Sequence, residues 1–521
     1  MSKIIIVGGV AGGASAAARL RRLDEHAEII LFERGEHISF ANCGLPYYIG
    51  GEIKDKAALT VQTPQSFRAR FNVDVRVYSE VTAIDRAAKN VSVRSRKTGK
   101  TYTESYDKLI LSPGAEPIRP NIEGADSDKV FPLRTIPDTL KIKAYIETNR
   151  PKSAAVIGGG YIGVEMAENL HTAGLQVTLI EMQDQIIAPL DYDMACDVHR
   201  YLERKGVRLI LENGVQSIAD SGDTLTVTLN DGKLQADMLI MAIGVRPESS
   251  LAKASGLAVS ERGSIVVSEQ MQTSDPDIFA VGDAVEVTDF VTGQKGFVPL
   301  AGPANKQGRI AADVICGLNS RYTGTQGSAI LKVFDMTAAT TGINEKTAKR
   351  LGLDYEKSFI YSMSHASYYP GATSMLIKTI FAPSTGKILG AQIVGFEGAD
   401  KRCDVFATAI RAGMTAFDLT RLELCYAPPY SSAKDPVNMA GYVIENILTG
   451  KVKTFYWHDV ETLPLDELRS RTGELDQTKP IYATCQSGLR SYIAARILMQ
   501  RGFEVYNLSG GYRLYRSVVG P

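Results

Sequence analysis

The sequence lacks the features that mark a membrane protein, a disulfide-rich scaffold or a nucleic-acid-binding surface. Its 521 residues include six cysteines and no CxxC pair, so neither a disulfide framework nor a zinc site is predicted. Every apolar run stays well short of the roughly 18 residues that cross a bilayer. Basic and acidic residues number 58 each, which leaves no basic excess for nucleic acid. These absences indicate a globular protein of several domains with no membrane, metal or nucleic-acid partner.

The same absences bear on location in the cell. Only four apolar residues follow Met-Ser-Lys before the first glycines, which is not the pattern of a signal peptide. Scattered cysteines without a pairing pattern are typical of a reducing compartment, where they serve as core residues or as working thiols. We therefore expect a cytoplasmic protein.

Glycine is plentiful, with 47 residues, and one glycine cluster follows the first short apolar run. Gly8, Gly12 and Gly13 precede an alanine-rich segment, and a second apolar run then ends at Glu33. Strand, glycine turn, helix, strand and acid is the order of a Rossmann-type unit. There the glycines let the backbone approach a pyrophosphate at a helix N-terminus, and the acid can bind a ribose hydroxyl. Val10 replaces the middle glycine of the usual pattern, so the match departs at one position.

The pattern recurs further along the chain. Another short apolar run is followed by Gly158, Gly160 and Gly163, a helical pattern, a strand and Glu181. Two such units predict two bound nucleotides, and a flavin with a nicotinamide is the economical pair because hydride passes between them. Glu181 favours NADH because a carboxylate repels the 2′-phosphate of NADPH. NADPH stays an alternative if the following loop supplies a cation.

Two later segments support a flavin. Leu109–Ala115 reads as a strand that runs into Pro113 and Gly114, and a second strand delivers Asp283 to the next helix, where it can bond a ribityl chain. Together with the glycine turns and MAIGVRP at 241–247, these segments resemble the flavoprotein disulfide reductases with two dinucleotide-binding domains, the pyridine nucleotide-disulfide oxidoreductase family. The resemblance covers roughly residues 1–450.

This resemblance implies an α/β fold built from two Rossmann-like domains and an α+β dimerisation domain, and it implies a homodimer. It places FAD binding in residues 1–150 and 240–325, NADH binding in 151–239 and dimerisation in 326–448. It also adds Ala301 to the residues that contact FAD.

The segment SFANCGLPYY, residues 39–48, contains a single cysteine, Cys43. Reductases that use an enzyme disulfide carry a second cysteine a few residues on, where this chain has Tyr47 and Tyr48. A lone thiol beside a flavin can attack a disulfide or persulfide, keep one sulfur product as a mixed disulfide and be freed by hydride from the flavin. Placement near a helix N-terminus predicts a lowered pKa for Cys43.

The segment is similar to that of the coenzyme A-disulfide reductases. This resemblance implies that Tyr426 and Tyr368 project from the partner subunit and protonate a leaving thiolate, a role that suits a phenol; the alternative is that they only pack at an interface. It also implies coenzyme A as a substrate or ligand, with candidate contacts at Arg19, Arg22, Ser39, Asn42, Asn305 and Lys434. For the two arginines the alternative is a solvated helix face.

A second thiol, Cys485, lies near the C-terminus, at the end of a predicted strand and before a short loop with Arg490. A thiol at a strand end that faces a helix N-terminus is predicted to be a stabilised thiolate. The loop resembles the active-site loop of rhodaneses, down to LSGGY at 508–512, and in that family the cysteine carries sulfane sulfur.

The rhodanese-like domain, residues 455–521, is short. Its 67 residues compare with roughly 100 for such a domain, and the join at about 460–463 lacks a segment of that family. Either the domain is truncated or residues are missing at this join, and we favour the second interpretation.

The combined prediction is an FAD- and NADH-dependent reductase of persulfides, polysulfides or coenzyme A disulfides. In this hypothesis Cys43 cleaves the S–S bond of small-molecule sulfur substrates and Cys485 holds or delivers sulfane sulfur. One alternative is an NADH oxidase or peroxidase that uses a sulfenate at Cys43. Another is a sulfur-carrier module whose flavin half acts as a redox sensor.

Overall fold

The computed structural model describes residues 2–455 and 468–519, so the predicted join at about 460–463 lies outside the described residues. The chain divides into two compact units. The first comprises Met1–Ile180 and Asn213–Thr325, and the second comprises Glu181–Glu212 and Gln326–Pro521.

The strands of the first unit, numbered in chain order, are β1 (Lys3–Val7), β2 (Glu28–Phe32), β3 (Asp74–Arg76), β4 (Ser79–Asp85), β5 (Asn90–Ser95), β6 (Thr101–Ser105), β7 (Lys108–Leu111), β8 (Ala115–Pro117), β9 (Val130–Pro132), β10 (Ser153–Ile157), β11 (Gln176–Ile180), β13 (Val215–Asp220), β14 (Leu225–Leu229), β15 (Lys233–Ala236), β16 (Met238–Met241), β17 (Val245–Pro247), β18 (Ile278–Ala280), β19 (Val287–Thr288) and β20 (Lys295–Gly296). Its helices are α1 (Ala11–Leu23), α2 (Leu45–Gly50), α3 (Pro64–Phe71), α4 (Ile136–Asn149), α5 (Tyr161–Thr172), α7 (Ser250–Ala254) and α8 (Ala301–Ile315).

Two parallel sheets form the centre of this unit. Strands β18, β7, β1, β2 and β3 lie side by side in that order, and β11, β10, β16 and β9 form the corresponding part of the second sheet. The central strands are apolar along their length and buried, as expected for parallel sheets covered on both faces. Antiparallel ribbons β4–β6 and β13–β15 complete the unit. The predicted α/β class is confirmed.

Glycine is required in the turns that connect β1 to α1 and β10 to α5. A Cβ on Gly13 would lie 1.9 Å from the carbonyl oxygen of Gly8, and a Cβ on Gly163 would lie 1.8 Å from that of Gly158. Gly8 and Gly158 have φ of 99° and 102°, the left-handed region that favours glycine. The two turns are thus built in the same way.

The second unit is also given in chain order. Its strands are β12 (Arg208–Ile210), β21 (Ala329–Val333), β22 (Met336–Gly342), β23 (Glu356–Met363), β24 (Ser374–Phe381), β25 (Ile388–Gly395), β26 (Lys453–Phe455), β27 (Ile481–Ala483) and β28 (Val505–Leu508). Its helices are α6 (Tyr192–Arg204), α9 (Glu345–Arg350), α10 (Ala399–Ala412), α11 (Ala416–Leu419), α12 (Pro436–Leu448), α13 (Leu468–Arg471), α14 (Leu489–Met499) and α15 (Gly511–Val519).

Two different sheets occupy this unit. An antiparallel sheet has the order β21-β22-β25-β24-β23, and a parallel sheet has the order β26-β28-β27. Helix α14 begins at Leu489, four residues after Cys485. Across residues 2–455 and 468–519, no helix combines the length and the apolar character needed to span a bilayer.

A buried cation joins separate parts of the second unit. The ammonium of Lys378 on β24 is fully buried and lies 3.0 Å from Asp191, 2.9 Å from Asp193 and 2.8 Å from Glu345. Burial works against its charge, but the three carboxylates outweigh burial and raise the pKa of Lys378. The cluster therefore fixes the chain before α6 to β24 and α9.

We expect Lys378→Met to destabilise the protein by about 3–5 kcal/mol, because it removes the cation that pairs with the buried carboxylates of Asp191 and Asp193. The midpoint of thermal unfolding measures the loss. Lys349→Met is the matched control: Lys349 pairs with the same Glu345 from an exposed position, so its removal should cost less than about 1 kcal/mol. Equal effects of the two substitutions would contradict the importance of the buried cluster.

Candidate functional site

Two helices of the first unit begin without a side-chain cap. Among the described residues, neither Val10 before α1 nor Leu300 before α8 caps its helix with a side-chain hydrogen bond. The exposed N–H groups and positive end of the helix dipole suit an anion such as a pyrophosphate. Ala301, one of the predicted FAD contacts, is the first residue of α8 and is exposed.

The acids predicted to hold a flavin nucleotide lie at strand ends in the same unit. The Glu33 carboxylate accepts hydrogen bonds from the backbone N–H groups of Gly9 (3.1 Å) and Gly35 (2.8 Å), so it is fixed beside the glycine turn. Asp283 lies in the 3-10 turn Gly282–Ala284 after β18, and burial raises its pKa against the opposing charge of Arg134.

The remaining predicted cofactor contacts lie after strands or at the beginnings of helices. Gly12 packs against Ser112 and Val281, and Pro113 and Gly114 follow β7, where Arg134 donates a hydrogen bond to the Pro113 carbonyl at 3.3 Å. A Cβ on Gly160 would meet nothing within 4 Å, so the middle of the second turn faces open space. Glu181 follows β11 in the chain, and its carboxylate accepts from the Gln183 N–H at 2.9 Å. The binding roles of these residues stay predictions.

Cys43 is exposed in the 3-10 turn Asn42–Gly44, immediately before α2. The segment that leads to it is tied to the glycine turn, because the Ser39 N–H donates to the Gly9 carbonyl at 2.8 Å. The predicted low pKa of Cys43 is wrong. Surrounding protein desolvates the sulfur, and the negative charges of Glu165 and Asp283 act in the same direction, so the pKa of Cys43 is raised.

Glu165, on α5, makes the surroundings of Cys43 sensitive to pH. Burial raises its pKa to about 7, assisted by the charge of Glu168 and opposed by a hydrogen bond from Tyr47. The Tyr47 hydroxyl donates to the Glu165 carboxylate at 3.3 Å. Glu165 could not be predicted as a neighbour of Cys43, because α5 and the Cys43 segment are more than a hundred residues apart in the chain.

Four of the six predicted coenzyme A contacts line one cavity of about 320 Å³. Its lining comprises Ala14, Ser15, Ala18, Arg19, Arg22, Ser39, Phe67, Asn305 and Arg309. Arg19 pairs with Asp313 at 2.6 Å, so its charge is partly balanced. The sequence reasoning missed Arg309, although it lies four residues after Asn305 on α8 and therefore on the same helix face.

The other two predicted contacts are not in this cavity. Asn42 is exposed in the turn beside Cys43, and Lys434 is exposed in the second unit, just before α12. The cavity lining includes three arginine side chains, and one of them, Arg19, forms an ion pair with Asp313. Such a lining suits a ligand with several phosphates, because guanidinium groups bind phosphate oxygens in pairs.

The two predicted catalytic tyrosines meet in the second unit. The hydroxyls of Tyr368 and Tyr426 are 2.9 Å apart, although 58 residues separate them in the chain. Their residues are 74% and 48% exposed. The hydrogen bond between Tyr368 and Tyr426 raises the pKa of Tyr368. The pair is therefore an exposed phenol couple that can donate one proton and keep a second hydrogen bond.

Cys485 follows β27 and lies in a loop that stabilises its thiolate. The Gly488 N–H donates to the sulfur at 3.1 Å, and the Ser491 hydroxyl donates at 3.4 Å. Burial opposes ionisation, but hydrogen bonds from Ser491 and from the backbone at 487 and 488 outweigh it, so the pKa of Cys485 is lowered. This direction agrees with the prediction for Cys485. Arg490 is exposed in the first turn of α14.

Gly511 packs closely against the backbone of the Cys485 loop. A Cβ on Gly511 would lie 2.4 Å from the Cys485 carbonyl oxygen and 2.6 Å from the Gly488 nitrogen. The first residues of α15 complete the contact, since the Tyr512 N–H donates to the Cys485 carbonyl at 2.7 Å. The glycine pair in LSGGY thus holds the thiolate loop in shape.

Two glycine turns at open helix ends, with an exposed cysteine tied to one of them, define a dinucleotide-binding thiol redox protein. The comparison with protein families agrees. Residues 2–308 match the pyridine nucleotide-disulphide oxidoreductase family, residues 328–436 match its dimerisation domain, and residues 446–517 match the rhodanese-like domain. The chain belongs to the pyridine nucleotide-disulphide oxidoreductase family, which implies FAD and a nicotinamide nucleotide as its cofactors.

Individual relatives extend the likeness over the whole chain. Coenzyme A disulfide reductase of Staphylococcus aureus is 38% identical over 444 residues, which are 85% of this chain and 99% of that protein. The crystal structure of reduced Bacillus anthracis CoADR-RHD is 52% identical in sequence, with a TM-score of 0.98. The match covers 99% of this chain and 98% of that chain. The NAD-dependent persulfide reductase from A. fulgidus is 38% identical with a TM-score of 0.94, covering 98% and 99%. The resemblance to disulfide reductases with a rhodanese domain is confirmed.

We expect Ser491→Ala to slow alkylation of Cys485 by iodoacetamide at pH 7 by roughly ten-fold, because a hydrogen bond to the thiolate is lost and its pKa rises. Peptide mass spectrometry separates Cys485 from the other cysteines. Ser487→Ala is the matched control, because that residue contributes its backbone N–H alone. If both variants react at the wild-type rate, the Ser491 hydroxyl does not stabilise the thiolate.

Proposed function

We propose that this protein uses NADH and FAD to reduce coenzyme A persulfide, polysulfides or coenzyme A disulfides through Cys43, with Cys485 holding or delivering the sulfane sulfur of the persulfides and polysulfides. The observation that carries this proposal is the presence of a second, thiolate-stabilising cysteine loop in a chain that already has the Cys43 site. A disulfide reductase needs one thiol, whereas a loop built to hold an ionised sulfur suits a persulfide.

The residues of the first unit fit FAD. The glycine turn at Gly8 and Gly13 leaves no room for side chains, Glu33 is fixed beside it, and α1 and α8 present uncapped N-termini within the described chain. In the proposal Glu33 binds a ribose hydroxyl and Asp283 binds the ribityl chain. The flavin supplies two-electron transfer between NADH and sulfur. The turn at Gly158, Gly160 and Gly163 binds NADH.

Cys43 is the nucleophile in the proposed reaction. Its thiolate attacks the outer sulfur of coenzyme A persulfide, a new S–S bond forms to Cys43, and coenzyme A leaves as a thiolate that takes a proton. Two electrons and two protons then cleave the persulfide on Cys43, which releases hydrogen sulfide and restores the thiol. The sum converts persulfide, NADH and one proton into coenzyme A, hydrogen sulfide and NAD⁺.

Tyr368 and Tyr426 supply the proton to the leaving thiolate in this proposal. They do so from the partner subunit of a homodimer, as the family resemblance implies. Their shared hydrogen bond holds one hydroxyl while the other donates. A phenol suits this role because it stays protonated at neutral pH, and its pKa of about 10 is close enough to the thiol pKa of about 8.5 for proton transfer to the leaving thiolate.

The arginine-lined cavity binds the phosphates of coenzyme A. Arg22 and Arg309 contribute cations, and Ser39 places the cavity on the segment that leads to Cys43. Asn42, beside Cys43, and Lys434, from the second unit, stay proposed contacts that lie outside this cavity.

We expect Arg309→Ala to raise the KM for coenzyme A persulfide by roughly ten-fold, because a charge-assisted hydrogen bond to phosphate is lost. The KM for inorganic polysulfide should stay unchanged, since polysulfide has no phosphates. Arg262→Ala, at an exposed position outside the cavity, is the matched control. An equal rise for both substrates would show that Arg309 does not bind coenzyme A.

Anaerobic oxidation of NADH by the holoenzyme with coenzyme A persulfide tests the proposal directly. Cys43→Ser should remove turnover, whereas Cys485→Ser should keep it, because the persulfide is supplied free in solution. Both variants should retain the flavin absorbance of the wild type. Undiminished turnover in Cys43→Ser would overturn the proposed role of this thiol, and oxidation that requires oxygen would favour an NADH oxidase with a Cys43 sulfenate.

A further inference from the structure

The two tyrosines that form the phenol couple lie on loops that have no regular secondary structure of their own. Residues 364–373 connect β23 to β24, and residues 422–435 precede α12. Each loop has a buried base and an exposed tip: Ser364 and Ser431 are buried, whereas Tyr368 and Tyr426 are exposed. Irregular loops of this kind need partners for their backbone groups and a contact that fixes their separation.

One guanidinium supplies that contact. Arg402 on α10 is only 1% exposed, and its Nη2 lies 2.9 Å from the Ser364 carbonyl oxygen and 3.0 Å from the Ser431 hydroxyl oxygen. Its positive charge is balanced by Asp435, whose carboxylate is 3.0 Å from the same nitrogen. Arg402 therefore bonds the base of each tyrosine loop at once.

Further hydrogen bonds make the junction rigid. The Ser431 hydroxyl donates to Asp435 at 2.7 Å, and the Ala366 N–H donates to the Ser431 carbonyl at 3.0 Å, which joins the two loops directly. The other carboxylate oxygen of Asp435 accepts from the Val437 N–H and caps α12. On the opposite side, Gly398 lies so close to Arg402 that a Cβ there would be 2.3 Å from Nη1.

We propose that Arg402 is a positioning residue for the phenol couple: by bonding the bases of both loops, it sets the distance between the hydroxyls of Tyr368 and Tyr426. The effect of Arg402 on catalysis rests on the proposed function, whereas its effect on the distance between the two hydroxyls does not. All three bonds come from Nη2 at the far end of the guanidinium, and a lysine side chain is one bond shorter, so its ammonium falls short of that position. Arg402→Lys keeps the buried charge and removes that geometry.

Kinetics test the catalytic part. We expect Arg402→Lys to lower kcat for coenzyme A persulfide by about ten-fold, because a small displacement of a proton donor is costly, and to leave the KM for NADH unchanged. Added to Tyr426→Phe, it should cause less than about a two-fold further loss, since both changes disable the same couple. If the loss of kcat in the double variant equals the product of the two single losses, the positioning role is overturned.

A spectroscopic measurement tests the geometry without turnover. With 3-fluorotyrosine at position 368 of the holoenzyme, Tyr426→Phe shifts the ¹⁹F resonance by removing the hydrogen bond, and Arg402→Lys should reproduce that shift. Arg21→Lys is the matched control, because Arg21 is a buried arginine that bonds backbone carbonyls of the first unit. A wild-type resonance in Arg402→Lys overturns the proposal whether or not the protein reduces persulfides.

If Arg402→Lys fails to fold, the double variant Arg402→Met with Asp435→Asn replaces it. That variant removes both buried charges together, so no unpaired carboxylate is left behind. The expected ¹⁹F shift and the contradicting result are the same. Failure of the Cys43→Ser test would disprove the proposed reaction alone, and an unshifted ¹⁹F resonance would disprove the positioning role alone.

Discussion

The first unit depends on a close approach of backbone to backbone that only glycine allows. Gly13 lies against the Gly8 carbonyl, and a Cβ on Gly308 would lie 2.2 Å from the Gly12 carbonyl, so α1 and α8 pack together at glycines. The same turn holds the segment before Cys43, through the Gly9 carbonyl and the Ser39 N–H. The open helix ends, the arginine cavity between α1 and α8 and the position of the thiol all follow from this contact.

The two working thiols have opposite electrostatic surroundings. Burial and two carboxylates raise the pKa of Cys43, whereas hydrogen bonds lower the pKa of Cys485. In thiol–disulfide exchange a low-pKa thiol is the better leaving group, and a high-pKa thiol is the stronger nucleophile once ionised. The pair therefore suits the proposed direction of sulfur flow, from a persulfide on Cys485 to an acceptor thiol and finally to reduction at Cys43.

Much of the fold could be predicted because its signals are local. The apolar runs around the glycine turns became β1, β2, β10 and β11. The predicted run Leu109–Ala115 is in fact two short strands, β7 and β8, because Pro113 and Gly114 interrupt it. The Cys485 loop was recognisable because its hydrogen-bond donors lie within six residues of the sulfur.

The features that the sequence did not predict come from contacts between distant residues. Glu165 and Asp283 reverse the expected pKa shift of Cys43, and neither lies near it in the chain. Arg402 bonds one loop that precedes it in the chain and one that follows it, each about thirty residues or more away. No local sequence pattern therefore identifies it. Arg309 was also not predicted, although a local signal was available in its spacing of four residues from Asn305 on one helix.

The most direct test of this account is the stoichiometry of anaerobic turnover with coenzyme A persulfide. The account predicts one hydrogen sulfide released and one free coenzyme A formed for each NADH oxidised, with no requirement for oxygen. Oxidation of NADH without release of sulfide, or turnover only when oxygen or peroxide is added, would contradict it.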